Sequence, residues 1–368
     1  MLLSLSNAPR DYAWGSTTLI AELEGRSPSG APEAEVWFGD HPGDPADVAD
    51  GGTLDAVTGG SLPYLLKILA AGGPLSIQVH PTIAQAKDGW DRETGLAADD
   101  PTRNYRDDNH KPELIVSLSE RFEALGGLRP VADTLRLLDS LGDGAGVRAL
   151  RAHLAGEDGL RNAIAWLLSG DASVEVAEIS AALAAASDPE FDDTLRAIRV
   201  VSERYPSDPG VVVALLMNHI VLRRGEGIFL RAGLLHAYLS GLGVEIMAAS
   251  DNVLRGGLTP KHIDVPELLS VLDSTPAIVP VLAPSDAPVT SYPVDVDDFA
   301  LRRVTLAGEA VSVEVRSPAM ILATSGSVTV SGADAEEHPV EVGTALFASD
   351  ETALTLSGAG EAFIAQPG

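Results

Sequence analysis

The sequence contains no cysteine and is poor in basic residues. Without cysteine, the 368-residue chain has no disulfide bond, no thiolate nucleophile and no cysteine-ligated metal. This composition is typical of a reducing compartment, so we expect a cytoplasmic protein. Only 25 lysines and arginines stand against 53 aspartates and glutamates, which gives a formal net charge of −28. Such a charge disfavours nucleic acid and anionic membranes as partners, because both bind basic surfaces.

Long apolar runs are also missing. No run approaches the roughly 18–20 apolar residues that cross a bilayer. The N-terminal stretch MLLSLSNAPRDYAWG lacks the basic region, apolar core and cleavage site of a secretory signal. Hydrophobic residues nevertheless make up 45% of the chain, which is enough for a sizeable core at this length. We therefore expect two or three globular domains.

The apolar pattern changes twice along the chain, which predicts three domains. Residues 1–128 and 206–284 contain short strands and turns and are expected to form one discontinuous β-domain. Between them, residues 129–205 repeat apolar residues at helical spacing, which predicts an all-helical insert. Residues 285–368 alternate like short strands separated by glycine turns, a pattern typical of a small antiparallel sandwich or barrel. The expected fold is mainly β with a helical insert.

Local patterns predict several elements around the candidate site. The stretch PLSIQVHP (74–81) alternates like a strand, and PTIAQAKDGW (81–90) begins with Pro-Thr and predicts a short helix. The apolar stretch LPYLLKILA (62–70) fits either a strand or a buried helix. We expect GVVVALLMNHIVL (210–222) to be one helix that leads back to the β-domain.

Three histidines lie near other plausible metal ligands. Gln78 and His80 share a face of the PLSIQVHP strand, because side chains two apart on a strand point the same way. His110 precedes Glu113 by three residues, and His236 follows a strand and a glycine turn. Two imidazoles, a carboxylate and an amide oxygen suit zinc, iron, manganese or nickel and leave a position open for water or substrate. The alternative is that each histidine is only hydrogen-bonded in the core or at the surface.

A second stretch with suitable chemistry is GVEIMAASDNVLRGGLTPK (243–261). Glu245 points to one face of a predicted strand, and the turn that follows carries Asp251, Arg255 and Lys261 towards the same pocket. Arginine suits planar oxyanions and phosphates because its fork of donors is fixed and always charged. The alternative is a surface loop with a solvated arginine.

Several long motifs together resemble one family. Between residue 12 and about residue 300 the chain contains, in order, YAWGS, EVWFGDHP, LPYLLKILAAGGPLSIQVHP, RNYRDDNHKPEL, HAYLSG, VEIMAASDNVLRGGLTPK and DVDDF. They resemble the type I mannose-6-phosphate isomerases, or phosphomannose isomerases. The resemblance implies cupin-type (jelly-roll) β-domains with an inserted helical domain. It also implies a monomer that takes a small-molecule sugar phosphate and serves carbohydrate metabolism and GDP-mannose biosynthesis.

The resemblance further implies a metal site and an active-site arginine. The family binds one zinc ion per chain through positions that match, in this sequence, Gln78, His80, Glu113 and His236. The active-site arginine of the family matches Arg255, which is expected to bind an oxyanion or polarise an oxygen. Zinc at this place stabilises the negative charge that develops on an enediolate oxygen.

The implied activity is the interconversion of mannose 6-phosphate and fructose 6-phosphate, an intramolecular oxidoreduction through a cis-enediol. Its base must reach the protons at C1 and C2, and both Glu245 and Lys111 remain open for this role. Lys111 or another nearby cation is expected to bind the phosphate. The further positions expected to contact the substrate are Ser76, His110, Tyr238 and Asp251.

The chain departs from the family pattern at several positions, including a mild change to Gly-Gly at 256–257 where Ala-Gly is common. Thr82 and Ile83 stand where the family usually has Asp or Asn and then Lys, and Leu235 stands where it often has proline. None is an expected ligand, although substrate preference is more open to change. Two other functions remain open: a cupin metalloenzyme of another class, such as an iron-dependent dioxygenase, and a sugar-phosphate-binding protein without activity. A glutamine ligand and a pocket rich in arginine and lysine favour the isomerase.

Overall fold

The structure of the protein, a computed structural model, describes residues 1–368. Its first section forms seven strands and three helices. They are β1 (Leu2–Ser6), α1 (Leu19–Leu23), β2 (Glu35–Phe38), β3 (Asp47–Val48), α2 (Leu54–Thr58), β4 (Tyr64–Ala71), β5 (Gln78–Val79), α3 (Ile83–Glu93), β6 (Glu113–Ser117) and β7 (Phe122–Leu128). The ambiguous stretch 62–70 is therefore a strand, and the strand expected over 74–81 shortens to two residues. The helix expected after it is present and begins with a capping box between Thr82 and Gln85.

Six helices follow. They are α4 (Val131–Asp139), α5 (Ala145–Leu154), α6 (Gly159–Leu168), α7 (Ser173–Ala185), α8 (Asp192–Arg204) and α9 (Gly210–Leu215). Their apolar residues recur at every third or fourth position and pack into one large core, which also takes in Ile77 and Val79 beside the candidate site. The helical insert is thus packed directly against the strand that carries Gln78.

The chain then returns to strands. The elements are β8 (Met217–Leu222), β9 (Gly227–Leu230), β10 (His236–Ala248), β11 (Leu254–Arg255) and α10 (Val265–Val271). The prediction of one helix over 210–222 is wrong in its second half, since α9 ends at Leu215 and β8 begins at Met217. An unbroken apolar run has no period that separates helix from strand. Antiparallel pairing of β8 with β7 decides the outcome.

The last section is all β. Its strands are β12 (Val281–Leu282), β13 (Val289–Tyr292), β14 (Ala300–Ala307), β15 (Val311–Glu314), β16 (Ala319–Ser331), β17 (Glu337–Val340), β18 (Ala345–Ala348) and β19 (Ala353–Gln366). Two of them are long, because Gly326 and Gly358 lie inside β16 and β19 and do not end them as turns. The expectation of uniformly short strands is wrong at these two places.

Two antiparallel sheets result. The ten-stranded sheet runs β11-β5-β10-β6-β9-β12 with β2, β4, β7 and β8 attached, and β10 pairs with four other strands. The nine-stranded sheet runs β13-β14-β19-β16-β18-β1-β3 with β15 and β17 attached. The prediction of a mainly β fold with a helical insert is confirmed. The first strand, β1, nevertheless belongs to the nine-stranded sheet, whose other strands come mainly from the C-terminal section. The division into three domains stays a prediction.

A shared apolar core joins the two sheets. It contains Ile68 and Val244 from the ten-stranded sheet together with Met320, Phe347 and Phe363 from the nine-stranded sheet, all at most 2% exposed. Burial of this kind contributes roughly 25 cal/mol per Å² of apolar surface, so the core ties the two sheets together. The helices of the structure include none that is both long and apolar enough to cross a membrane.

Candidate metal centre and its cavity

Three buried side chains meet at one end of the ten-stranded sheet. Nε2 of His80 lies 3.3 Å from Oε1 of Glu113, and Nε2 of His236 lies 3.4 Å from Oε2 of the same carboxylate. All three side chains are at most 5% exposed. Their donor atoms lie within 4.8 Å of one another, which is close enough for one cation to contact all three.

Strand pairing brings these residues together from distant parts of the sequence. His236 is the first residue of β10 and lies opposite Gln78 of β5. Glu113 is the first residue of β6 and lies opposite Met247 near the other end of β10. His80 follows β5 directly. Because His236 and Met247 lie near opposite ends of β10, this pairing brings Glu113 to the two histidines only through the curvature of the sheet.

Hydrogen bonds orient both imidazoles. Nδ1 of His80 lies 2.7 Å from the carbonyl oxygen of Asn252, and Nδ1 of His236 lies 2.9 Å from the carbonyl oxygen of Leu234. A carbonyl oxygen only accepts, so each Nδ1 carries a proton, and in the neutral imidazole Nε2 then presents a lone pair to Glu113. Nε2 of His80 is buried without a hydrogen-bond partner. Two lone pairs facing a carboxylate repel it unless a cation lies between them, so the donor set fits a metal ion.

The ionisation of these groups agrees with a metal site. Burial lowers the pKa of His80 to about 4, which favours the neutral, ligating form. Burial alone would raise the pKa of Glu113, but Lys111 and His80 outweigh it and hold that pKa well below its usual value. Nζ of Lys111 lies 3.1 Å from Oε1 of Glu113. A nitrogen–nitrogen–carboxylate set of this kind suits zinc and its transition-metal neighbours.

Gln78 offers a further oxygen beside this cluster. Its side-chain amide donates to Oγ of Ser76 at 3.2 Å, which leaves the amide oxygen free to face a cation. Gln78 lines the same cavity as Glu113 and His236. The cavity has a volume of about 530 Å³, enough for a sugar phosphate.

A buried charge network forms another wall of the cavity. Glu245 of β10 lies opposite Lys67 of β4, and the two side chains are 3.4 Å apart. Glu35 lies 3.7 Å from Lys67 and accepts a hydrogen bond from Nε1 of Trp37. Burial raises the pKa of Glu245 to about 7, against the opposing effect of Lys67. A carboxyl group that titrates near neutrality can both accept and return a proton.

Cations also line the cavity, namely Arg204, Arg255 and Lys261. Burial lowers the pKa of Arg255, and Arg106 lowers it further. Burial also lowers the pKa of Lys261, with repulsion from Arg255 and Arg106 added. The charged forms of Arg255 and Lys261 are thus destabilised, so a bound anion would stabilise both of them. In a chain of net charge −28, this is a local positive field.

The structure places two of the four further substrate-contacting residues at the cavity. Ser76 and Tyr238 line it, and the hydroxyl of Tyr238 is buried without a hydrogen-bond partner. His110 points elsewhere, with Nε2 2.8 Å from Oδ2 of Asp298. Asp251 pairs with His41 at 3.0 Å and lines a separate cavity. The expected convergence of His110 and Asp251 on the pocket does not occur, because loop contacts direct them to other partners.

Sequence reasoning missed several cavity residues. Lys67 and Glu35 each stand in an otherwise apolar strand, and a buried charge in such a run is a signal of a partner or a site. Arg204 and Tyr205 come from the end of α8 and the residue after it. No local signal marks them, since only packing of the helical insert brings them to the cavity. Tyr205 donates from its hydroxyl to the carbonyl oxygen of Pro74 at 2.9 Å.

Comparison with known proteins agrees with this geometry. A family model described as the type I phosphomannose isomerase catalytic domain matches residues 2–131. Mannose-6-phosphate isomerases from Salmonella typhimurium and Escherichia coli are 36% and 35% identical, with 97% of each chain covered. The human enzyme is 30% identical over 96% of this chain and 94% of its own.

Solved structures lead to the same family. A zinc-bound mannose 6-phosphate isomerase superposes with a TM-score of 0.89 at 33% identity, covering 100% of this chain and 99% of the other. A lysine-to-alanine variant of the Salmonella typhimurium phosphomannose isomerase has the same TM-score at 32% identity, with both chains fully covered. The resemblance drawn from the motifs is confirmed. The chain belongs to the mannose-6-phosphate isomerase family.

Proposed function

We propose that the protein is a zinc-dependent mannose-6-phosphate isomerase, an aldose–ketose isomerase that interconverts mannose 6-phosphate and fructose 6-phosphate. The observation that carries this proposal is the arrangement of one cavity. Two oriented imidazoles and a carboxylate meet there, a carboxyl group that titrates near neutrality forms a wall, and three cations line the same cavity. Membership of the family supplies the substrate and the reaction.

The proposed ligands of one zinc ion are Gln78, His80, Glu113 and His236. The support for the last three is their contact geometry and the orphaned Nε2 of His80. The support for Gln78 is its free amide oxygen beside His236. Zinc at these ligands supplies positive charge that stabilises an oxyanion of the substrate. In this proposal Lys111 keeps Glu113 anionic and is not the base, because its ammonium is already paired with that carboxylate.

Glu245 is the proposed base. It removes the hydrogen at C2 of the aldose as a proton, and the electron pair of that bond becomes the C1–C2 double bond of a cis-enediol. The carbonyl oxygen at C1 gains a proton in the same conversion. Return of a proton to C1, with loss of the hydroxyl proton at C2, gives the ketose. A pKa of about 7 suits a group that must take up and release a proton in each turnover.

The cations that line the cavity are the proposed contacts of the phosphate and sugar oxygens. Arg255 pairs with Gln78 across β5 and β11, next to the proposed ligands, and it suits an oxyanion through its fork of donors. Lys261 and Arg204 line the same cavity and suit the phosphate. Ser76 and Tyr238 are the proposed hydroxyl contacts of the sugar. We leave His110 and Asp251 out of this set, because their side chains pair elsewhere.

The decisive experiment is a coupled assay of mannose 6-phosphate turnover. We expect activity that is lost with a chelator, returns with zinc, and falls at least about 100-fold in His236→Ala, because a ligand is removed. His338→Ala removes a histidine on β17, far from the cavity, and should keep full activity. Full activity in His236→Ala would contradict the proposed function. Oxygen consumption without isomerisation would favour a dioxygenase of the same fold class.

Other parts of the proposal need separate measurements. The proposed monomeric state is tested by light scattering at several protein concentrations. The proposed cytoplasmic location is tested by cell fractionation. The net charge of −28 argues against nucleic acid and anionic membranes as partners, whereas the cations that line the cavity support a small-molecule sugar phosphate. The division into a β-domain over 1–128 and 206–284, a helical domain over 129–205 and a last domain over 285–368 is tested by limited proteolysis.

A further inference from the structure

Asn252 is a fully buried amide between two loops beside the metal cluster. Its relative exposure is 0%, and both atoms of its amide are used. Oδ1 accepts from the backbone nitrogen of Arg106 at 2.7 Å. Nδ2 donates to the carbonyl oxygens of Asp107 at 2.9 Å and Asn109 at 2.8 Å. The side chain therefore fixes residue 252 against the segment 106–109.

The backbone of the same residue holds a proposed metal ligand. The carbonyl oxygen of Asn252 accepts from Nδ1 of His80 at 2.7 Å. Nothing else in the structure accepts that proton, and Nε2 on the far side of the ring faces Glu113. The direction of this one carbonyl therefore sets both the tautomer and the angle of the imidazole.

We infer that Asn252 is a positioning residue for the metal site, which acts by clamping residues 106–109 so that its own carbonyl aims at His80. This inference rests on the proposed zinc function. Asn252 touches neither the metal nor the substrate in this scheme. Asn252 also precedes β11 by two residues, so the same anchor lies beside the start of the strand that carries Arg255 opposite Gln78.

Only an asparagine side chain can make the hydrogen bonds that hold residue 252 against the segment 106–109. It must donate to two carbonyl oxygens and accept from a backbone amide at the same time, which aspartate cannot do because its carboxylate only accepts. Asn252→Asp would also place a negative charge 3.1 Å from Oδ1 of Asp107. Asn252→Ala removes the amide without adding charge. In both variants the loop loses its anchor, and His80 is free to rotate away from the ligating geometry.

The test measures zinc affinity by competition with a chelator, together with the visible spectrum of the cobalt-substituted protein. Loss of support for a ligand lowers metal affinity by about 10–100-fold, and we expect this for Asn252→Asp and Asn252→Ala. We also expect an altered cobalt spectrum, since the coordination geometry changes. The matched control is Asn7→Ala, because Asn7 also donates to two backbone carbonyl oxygens, those of Trp37 and Asp44, and neither of them accepts from a ligand imidazole.

A double-mutant cycle separates positioning from general destabilisation. In a His80→Ala background the clamp has no ligand to position, so adding Asn252→Ala should weaken zinc by less than about threefold. Three outcomes would overturn the inference: unchanged zinc affinity in both Asn252 variants, an equal loss in Asn7→Ala, or an equal loss with and without His80. A wild-type protein that binds no zinc would instead overturn the proposed function.

Discussion

Nζ of Lys67 lies 3.4 Å from Oε2 of Glu245, and the two residues are directly opposite each other on β4 and β10. Both side chains are at most 7% exposed. Burial raises the pKa of Glu245 while Lys67 lowers it, so the pair sets the pH at which the proposed base is ready to accept a proton. The register of β4 against β10 therefore helps to set the pKa of Glu245.

Lys67→Met should shift the pH dependence of turnover. Removing the ammonium removes a stabilising partner of the carboxylate, so the pKa of Glu245 rises further. A base acts only when it is deprotonated, so the acidic limb of the kcat/KM profile should move to higher pH by about one unit or more. The measurement is a pH profile of mannose 6-phosphate turnover.

Two variants check this assignment. Lys87→Met changes an exposed lysine of α3 and should leave the profile in place. Glu245→Gln removes the titrating group and should lower kcat at least about 100-fold at every pH while zinc content stays unchanged. An unmoved limb in Lys67→Met, or near-normal turnover in Glu245→Gln, would contradict the role of Glu245.

Lys261→Ala should weaken substrate binding more than catalysis. Losing one charge-assisted contact to phosphate costs about 1.5 kcal/mol or more, which corresponds to an increase in KM of about tenfold. The value of kcat should change little, because the phosphate does not take part in the proton transfer. Steady-state kinetics with Lys87→Ala as the control give the answer, and a KM equal to that of the wild type would remove Lys261 from the phosphate site.

Glu123→Gln should destabilise the protein in a pH-dependent way. The close contact of His219, whose Nε2 lies 3.4 Å from Oε2, holds the pKa of Glu123 well below its usual value. Arg121 and Arg196 lower this pKa further, against the opposing effect of burial. A carboxyl group whose pKa is lower in the folded state stabilises that state above its unfolded pKa of 4.5, and this contribution disappears as pH falls further. The two arginines are about half exposed, so we discount their share for solvent screening.

The expected difference from wild type is about 1–2 kcal/mol near neutral pH, shrinking steadily below about pH 4. Urea unfolding of both proteins across this range measures it. Glu120→Gln, at an exposed position nearby, should show no such difference. A gap between Glu123→Gln and wild type that stays constant from neutral to acidic pH would argue against an ionised Glu123 in this cluster.

Gly257→Ala should damage both stability and substrate binding. Gly257 has a φ of +124°, and a Cβ there would lie 2.4 Å from Cα of Gly210 at the start of α9. The backbone must shift in response, which costs more than about 2 kcal/mol. Because the loop carries Arg255 and Lys261, KM should rise as well.

Gly156→Ala provides the matched control for Gly257→Ala. It has a similar φ of +97° but nothing within 4 Å of the added methyl group, so it reports backbone strain alone. Thermal unfolding and KM measured on both variants separate the two effects. Equal shifts in both would show that contact between the helical insert and the 256–261 loop is unimportant.

The extent of sequence-based prediction differed between the fold and the site. Alternation and helical periodicity predicted the mainly β fold and the helical insert, because both depend on burial of one face of each element. The prediction of one helix over 210–222 was wrong in its second half, because a nearly continuous apolar stretch has no periodicity that separates helix from strand. The joining of β1 to the C-terminal strands was equally invisible, because strand pairing over such a distance leaves no local pattern.

Within the site, the metal cluster was the most predictable part. Motif order placed Gln78, His80, Glu113 and His236 together before any geometry was known, and the structure brings the last three into contact. His110 and Asp251 looked equally suitable as residue types, yet their side chains pair with Asp298 and His41. A suitable residue in a suitable segment does not reveal which way a loop directs its side chain.

The sequence by itself determined the chemistry available to this protein: no thiols, a strongly acidic chain, alternating strands, and the motifs that place it in its family. The tertiary structure alone decided how that chemistry is arranged. It placed Lys67 opposite Glu245, brought Arg204 from the helical insert to the cavity, and aimed the carbonyl of Asn252 at His80. The reason is physical, since pKa values and ligand geometry depend on distances of a few ångströms between residues far apart in the chain.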